Sequence, residues 1–344
     1  FLFRDRIKAV TADDVNRVAQ KYLVASNRTL GEYVPTESPV RATVAEGPDV
    51  AALVDKYTST EQVATGETFD ASPKNLDART RVVELPGGGK LALLGKKTRG
   101  ATVTLTLRLR FGTEQSLVGK DAAPDIAANM LMRGTKTKTR AQISDALDKL
   151  KAQVNVMADE QNLMVLVEVR RPQLAATLAI LGDVLRNPAF DAKEFELQRR
   201  EPITELEQVK QDPMALGMME TQRMLSPWPK GHPKYMPSFD EAIAEYTKVK
   251  VEEARDFYAR FYGAQNLIVA AVGDFDEAEL VQSLGAITTG WKASEPYAKI
   301  LDKYRLVDGR STTVATPDKP MAFFGLGERI QIKDTDADYP ALVM

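Results

Sequence analysis

The sequence has no cysteine and only one histidine, His232, among its 344 residues. Without cysteine the chain forms no disulfide, although this alone does not fix its compartment. A zinc site is built from several imidazole, thiolate or carboxylate ligands, and His232 has no second histidine with which to share a metal ion. We therefore interpret His232, in Trp228-Pro229-Lys230-Gly231-His232-Pro233, as a structural loop or surface residue.

Excess charge and long apolar runs are also missing. A formal net charge of −2 gives no basic footprint for nucleic acid. No uninterrupted apolar run approaches the ~20 residues that a membrane-spanning helix needs. A hydrophobic content of 44% and a charged content of 27% are ordinary for a globular protein, and the length allows two domains or one large one. We predict no nucleic-acid partner and no membrane span.

The most informative stretch is residues 125–135, which reads Asp-Ile-Ala-Ala-Asn-Met-Leu-Met-Arg-Gly-Thr. Its apolar residues favour a helix that ends near the glycine. Ala128 offers a methyl group, which cannot take a proton from water. Asn129 offers a neutral amide oxygen, which is a poor zinc ligand, and Asp125 alone would bind a cation only weakly. From the residues alone, Asp125 and Asn129 are best explained as polar side chains on the more solvent-exposed face of an apolar helix.

This stretch, with its apolar run and Gly-Thr exit, resembles the active-site helix of the pitrilysin/insulinase family of zinc metallopeptidases (inverzincins). In that family the helix carries His-x-x-Glu-His, whose histidines bind zinc on one helix face while the glutamate activates water. The resemblance puts Asp125 at the first histidine, Ala128 at the glutamate and Asn129 at the second histidine. It puts Glu205, 76 residues past Asn129 (205 − 129), at the third ligand, before Asp212-Pro213. We predict no catalytic residue, no metal ligand and no cofactor in this chain, so this segment alone is not an enzyme.

Hydrophobic periodicity predicts the other elements. Strict alternation of apolar and polar residues over 101–111 indicates a half-buried strand, and a glycine run at 87–89 indicates a hairpin turn. Pro202 inside a predicted long helix loses a hydrogen bond at a cost of ~3 kcal/mol and predicts a kink. Helices are predicted to begin at residues 11, 49, 139, 172 and 191 and to cover 213–225, 249–262 and 277–284. Strands are predicted over residues 28–36, 82–85, 90–94, 101–111, 154–157, 163–169, 267–272, 311–316 and 322–326.

The resemblance extends along essentially all of the chain as an ordered series of short matches, such as Val272-Gly273-Asp274 and Gly290-Trp291. It implies an α+β fold. We expect a two-layer sandwich with a mainly antiparallel sheet and helices on one face, as in the metallohydrolase fold of LuxS and mitochondrial processing peptidase. We also expect the start of a second similar subdomain.

The same series of matches predicts four segments. Residues 1–36 resemble the tail of a preceding peptidase half, and residues 37–79 form a linker between halves. Residues 80–292 form an inactive peptidase-like domain, and residues 293–344 form a linker and the beginning of the following subdomain. The chain has no initiator methionine and no signal peptide, so we expect it to be an excised piece of a longer polypeptide.

The leading functional prediction is the non-catalytic half of a tandem zinc metallopeptidase. It would act in cis with a catalytic half that carries zinc and His-x-x-Glu-His, and would help to enclose a peptide or unfolded protein substrate. One alternative is a purely structural subunit, as in the respiratory-complex core proteins that resemble this family. Another is an enzyme with new chemistry at Asp125 and Glu205. The compartment stays open, although bacterial relatives of tandem type are often exported.

Overall fold

The computed structural model describes residues 9–31 and 65–344, together with residues 6, 7, 47, 49, 50 and 55. The chain divides into two compact units, residues 1–64 and residues 65–344. In the first unit, helix α1 spans Ala12–Tyr22, and a capping box between Thr11 and Asp14 starts it. The predicted helix beginning at residue 11 is confirmed.

Two other predictions concern the first unit. Residues 28–31 form neither helix nor strand, so the predicted strand over 28–36 is wrong for its first part. The remainder of that strand and most of the predicted helix over 49–57 lie outside the described residues.

Six strands of the second unit form one open sheet in the order β1-β2-β6-β3-β5-β4. Neighbouring strands run antiparallel, except that β2 and β6 are parallel. The mainly antiparallel sheet is therefore confirmed. The strands are β1 (Arg81–Glu84), β2 (Lys90–Gly95), β3 (Thr102–Arg110), β4 (Gln153–Ala158), β5 (Asn162–Arg170) and β6 (Leu267–Gly273).

Helices cover one face of this sheet. Along β3 the apolar residues from Val103 to Leu109 are buried, whereas Thr104 and Arg108, between them, are exposed. The buried face joins apolar residues of the surrounding helices, such as Ile126 and Phe257, in one core. Since successive side chains of a strand point to opposite faces, alternation alone assigns each residue to the core or to the open face.

The second unit has these helices: α2 (Pro73–Arg79), α3 (Ala123–Leu131), α4 (Arg140–Leu150), α5 (Leu174–Arg186), α6 (Ala192–Val209), α7 (Pro213–Leu225), α8 (Phe239–Lys248), α9 (Val251–Phe261), α10 (Glu277–Thr288) and α11 (Tyr339–Val343). Helix α6 continues through Pro202 and starts at Asp191, whose carboxylate caps it. Thr139 and Gln142 form the predicted capping box of α4. None of the described helices is long and apolar enough to cross a bilayer.

Three helices of the second unit were missed, namely α2, α8 and the short α11. Helix α2 lies within the predicted linker, in the compact unit that begins at Thr65. Helix α8 starts at Ser238, whose hydroxyl accepts from the backbone of Glu241 in a capping box. That Ser-x-x-Glu spacing was visible in the sequence and would have predicted the helix.

The predicted strands over 311–316 and 322–326 are wrong. Residues 292–338 contain no helix or strand. A strand needs a neighbour to pair its backbone groups. The chain around Phe323 instead lies against α7, so closely that a Cβ on Gly217 would come within 2.1 Å of the Phe323 ring.

Candidate functional site

Helix α3 presents Asp125 and Asn129 together. The two residues are four apart, so they lie on the same helix face. The Asn129 amide Nδ2 donates to the Asp125 carboxylate Oδ1 at 3.1 Å. Ala128, between them in sequence, is fully buried and points its methyl group into the core. This face therefore offers a hydrogen-bonded Asp–Asn pair.

Helix α8 supplies a third member of the site. The Tyr246 hydroxyl donates to the second Asp125 oxygen, Oδ2, at 2.9 Å. Burial raises the pKa of the Asp125 carboxyl, and the hydrogen bonds from Tyr246 and Asn129 offset only part of this effect. Both carboxylate oxygens accept a neutral donor, and no cation accompanies them at hydrogen-bond distance within the described part of the chain.

Glu205 reaches the same region from α6, although its side chain is exposed. Burial and the Asp125 carboxylate raise the pKa of the Tyr246 phenol, and Glu245 and Glu205 add to this effect. Tyr246 thus lies within electrostatic range of both Asp125 and Glu205. The structure brings the four residues selected from the sequence to the region where α3, α6 and α8 meet, with only Asp125 and Asn129 in direct contact among them.

Two tyrosines of this region were missed. Tyr246 lies on the overlooked helix α8, and the Ser238 capping box was the available signal. Tyr262 is fully buried, and its hydroxyl donates to the Pro124 carbonyl at 3.4 Å. Burial, followed by the Asp125 charge, raises the pKa of the Tyr262 phenol. No local pattern in the sequence marks Tyr262 as a neighbour of Asp125, 137 residues earlier (262 − 125).

The residues here do not fit a catalytic zinc ion, which takes three protein ligands and keeps a fourth position open. Asp125 is held by two hydrogen bonds, Asn129 offers only a neutral amide, and Ala128 has no polar atom. Across the residues that the structure describes, no three His, Cys, Asp or Glu side chains come together in a way that suits a metal ion.

The chain leaving α3 is held in place by charged residues. Arg133 donates to Glu201 of α6 at 3.2 Å and lies 3.8 Å from Glu194. Asp183 of α5 holds the following loop, because one of its oxygens accepts from the Thr135 and Thr137 hydroxyls at 2.8 and 2.9 Å. The exit of the helix is therefore anchored to α5 and α6.

Asp183 has a lower pKa than an ordinary aspartate. Burial pulls the pKa of its carboxyl upward, but hydrogen bonds from Asn187, Thr135, Thr137 and Lys138 outweigh burial and lower the pKa to about 2. The Lys138 ammonium lies 3.2 Å away. This carboxylate is stabilised as an anion.

His232 lies in the loop before α8. Its ring stacks on Trp228 with centroids 4.2 Å apart, and its Nδ1 accepts from the Lys234 backbone at 3.0 Å. Its Nε2 lies 3.3 Å from the Glu114 carboxylate. The Trp228 and Lys234 contacts attach the imidazole to its own loop, and Glu114 approaches it from another loop.

Comparison with known protein families gives two matches. The family described as insulinase (peptidase family M16) matches residues 125–227, starting at Asp125. A second description, the peptidase M16 inactive domain, matches residues 248–344. The chain belongs to the M16 family. The part of the chain matched by the M16 inactive domain comprises α9, β6, α10 and the segment beyond them.

Individual M16 relatives are distant. The chain is 21% identical over 216 residues to an uncharacterized zinc protease of Rickettsia bellii, covering 60% of this chain and 50% of that protein. It is 20% identical over 299 residues to a probable mitochondrial-processing peptidase subunit beta of Arabidopsis thaliana, covering 82% and 51%. The chain thus spans about half the length of these curated relatives.

Two solved structures are similar in fold to this chain. A crystal structure of a peptidase M16 inactive domain from Pseudomonas fluorescens matches with a TM-score of 0.55 at 19% identity, covering 67% of this chain and 54% of that one. A protease from Helicobacter pylori matches with a TM-score of 0.55 at 14% identity, with the same coverage. At these identities the comparison concerns the fold alone.

Proposed function

We propose that residues 80–292 form a peptidase-like domain without catalytic activity, which works with a catalytic M16 half located elsewhere in the same polypeptide. One observation carries this proposal. Both oxygens of Asp125 are occupied by neutral hydrogen-bond donors, while Ala128, which the family resemblance puts at the position of the catalytic glutamate, is a buried methyl group.

The proposed lack of activity follows from what each side chain can do. An M16 peptidase needs a general base to activate the attacking water, and Ala128 has no atom that takes a proton. It also needs zinc to polarise the peptide carbonyl, and an amide at residue 129 replaces an imidazole ligand. Glu205 alone does not compensate, because a single exposed carboxylate holds zinc only weakly. Zinc is expected in the catalytic half, as the naming of relatives as zinc proteases suggests.

The proposed role is to form part of a substrate chamber for a peptide or an unfolded protein. The open face of the sheet supports this role, since it exposes apolar side chains such as Leu166, Ile268 and Val272 beside polar threonines. Extended peptides bind to such surfaces through apolar and backbone contacts. Residues 1–36 are proposed as the end of the preceding half, residues 37–79 as the linker, and residues 293–344 as the connection to the next subdomain.

Cleavage of a fluorescently labelled unfolded protein tests the proposal. This chain alone, with zinc in excess, is expected to give no cleavage above buffer. A longer natural polypeptide that includes this chain and a His-x-x-Glu-His half is expected to cleave the substrate and to stop when a chelator removes zinc. Chelator-sensitive cleavage by this chain alone would contradict the proposal. An upstream half that also lacks the motif would favour the structural-subunit alternative.

A further inference from the structure

A second region of the molecule carries unpaired positive charge. A cavity of about 490 Å³ opens beside the ends of β3 and β5. Arg108 and Arg110 line it from β3, and Lys234 and Lys299 line it from the loops. The two arginines alternate with buried leucines, so they project from the open face of the sheet. Asp125, Asn129, Glu205 and Tyr246 do not line this cavity.

The far wall of the cavity is held in place by a buried glutamine. Gln161, the residue before β5, donates through Nε2 to the carbonyl of Gly112 at 3.2 Å and to that of Ala298 at 3.0 Å. Its Oε1 accepts from the backbone N–H of Ile300 at 2.8 Å. These bonds fix residues 298–300 across the end of the sheet. Because buried amide networks of this kind are rigid when satisfied, the flanking residues Tyr297 and Lys299 are positioned at the cavity.

Arg110 stacks on an aromatic ring and has no carboxylate partner among the described residues. Its guanidinium carbon lies 4.9 Å from the centre of the Tyr297 ring, a cation–π arrangement. Its Nε is buried and has no hydrogen-bond partner among the residues that the structure describes. A guanidinium that stacks on an aromatic ring keeps its N–H edge free for a planar oxyanion.

The two acidic residues of the cavity do not neutralise it. Asp159 directs Oδ1 to the backbone N–H groups of Gln161 and Asn162, at 3.1 and 2.8 Å. Glu160 lies 4.0 Å from Lys234. Within residues 65–344, neither arginine nor Lys299 has an ion-pair partner, so the positive charge of the cavity exceeds the negative charge.

We propose that this cavity is a binding site for an oxyanion, with Arg110 as the principal donor and Arg108 and Lys299 as supporting cations. Guanidinium groups bind carboxylates and phosphates through charge-assisted hydrogen bonds. The two sources of such a group are the carboxylate of a peptide and free phosphate. If the ligand is a peptide carboxylate, the proposed substrate chamber would prefer acidic peptides, and this part of the inference rests on the proposed function. The oxyanion site itself does not rest on that function.

Fluorescence anisotropy with two labelled peptides tests the site. One peptide alternates alanine with glutamate, and the other alternates alanine with glutamine. The chain is expected to bind the glutamate peptide about ten-fold more tightly or better, since charged hydrogen bonds exceed neutral ones. Arg110→Gln is expected to remove most of this preference, and Lys299→Gln to reduce it about three-fold at low salt.

Three controls separate the site from general charge and from folding. Lys149→Gln removes the same charge from an exposed position on α4 and should leave the preference unchanged. Arg110→Lys keeps the charge but loses the planar fork, so an intermediate affinity is expected. Circular dichroism checks that each variant keeps its helices, and Lys299→Gln tests the site independently if Arg110→Gln unfolds.

Inorganic phosphate distinguishes the two sources. The glutamate peptide is displaced with phosphate and, separately, with acetate. If phosphate acts at the lower concentration and its effect depends on Arg110, phosphate is the ligand. If acetate acts at the lower concentration, carboxylate is the ligand. Equal binding of both peptides, or equal loss with Lys149→Gln and Lys299→Gln, would overturn the site. Equal binding of both peptides would not contradict the proposed substrate chamber. Zinc-dependent cleavage by this chain alone would contradict the non-catalytic role but not the oxyanion site.

Discussion

Asp125 and Asp183 are two partly buried aspartates of the helical layer with opposite electrostatics. Asp183 accepts from two threonine hydroxyls, an amide and the Lys138 ammonium, and the pKa of its carboxyl falls to about 2. Among the described residues Asp125 accepts only from the Tyr246 hydroxyl and the Asn129 amide, and burial raises the pKa of its carboxyl. The difference shows that this chain stabilises a carboxylate anion on α5, where it holds the loop that follows α3, and not on α3 itself.

The largest expected effect comes from restoring a carboxylate beside Asp125. Ala128→Glu places a charge where the side chain is fully buried, so we expect a loss of about 3–5 kcal/mol in the free energy of unfolding. Chemical denaturation followed by tryptophan fluorescence measures it, since Trp228 and Trp291 are both buried. Ala141→Glu, the same substitution at an exposed position on α4, is the control and should cost about 0.5 kcal/mol or less. Equal costs would show that Ala128 is not in the core.

Asp183→Asn should give the next largest effect. It removes the charge that accepts from Thr135, Thr137 and Lys138, so we expect about 2 kcal/mol of lost stability at pH 7. Because the folded pKa lies below the ordinary value of 3.8, the stabilisation is present above pH 3.8 and disappears as pH falls towards about 2. The free energies of unfolding of the wild type and of Asp183→Asn should therefore become equal at acid pH.

Asp145→Asn, at an exposed position on α4, serves as the control for Asp183 and should change stability by less than about 0.5 kcal/mol. A pH-independent difference between Asp183→Asn and wild type would argue that lost packing, and not lost charge, causes the effect.

Tyr246→Phe tests the donor that holds Asp125. Removing one hydroxyl hydrogen bond is expected to cost about 1 kcal/mol. The Asp125 carboxyl then loses a donor that lowers its pKa, so this pKa should rise further. Tyr258→Phe is a matched control, because the Tyr258 hydroxyl donates to the Leu185 carbonyl at 2.9 Å. Both variants should lose similar stability, but only Tyr246→Phe should change the carboxyl titration, followed by NMR.

Asp125→Asn should have the smallest effect. A carboxyl whose folded pKa is raised adds stability below pH 3.8 and loses this advantage as pH rises through the folded value. At pH 7 the ionised group is therefore unfavourable, and replacing it with an amide should leave stability equal or slightly higher, by no more than about 1 kcal/mol. A loss of stability as large as that of Asp183→Asn would contradict the opposite electrostatics of Asp125 and Asp183.

The sheet and its core helices were predictable from local pattern. Alternation over Val103–Leu109 gave β3 its buried face, and Thr139-x-x-Gln142 gave α4 its start, because both depend on neighbours in sequence. The segments at 311–316 and 322–326 have strand-like composition, but pairing depends on a partner strand that composition does not specify.

The candidate site was predictable only in part. The Gly-Thr exit carried the family resemblance that located the helix, and that resemblance also implied the positions of Asp125, Ala128, Asn129 and Glu205. Tyr246 was missed because its contact with Asp125 joins residues 121 positions apart, which no local periodicity reveals. The raised pKa of Asp125 was also not predictable from the sequence, since it is caused by burial in the folded structure.

The most direct test of the non-catalytic assignment is the zinc content of this chain after equilibrium dialysis against excess zinc. Our account predicts far less than one zinc ion per chain and no change in zinc content when Asp125 is replaced by Asn. One zinc ion per chain, lost on Asp125→Asn or Glu205→Ala, would contradict it and would make those carboxylates metal ligands.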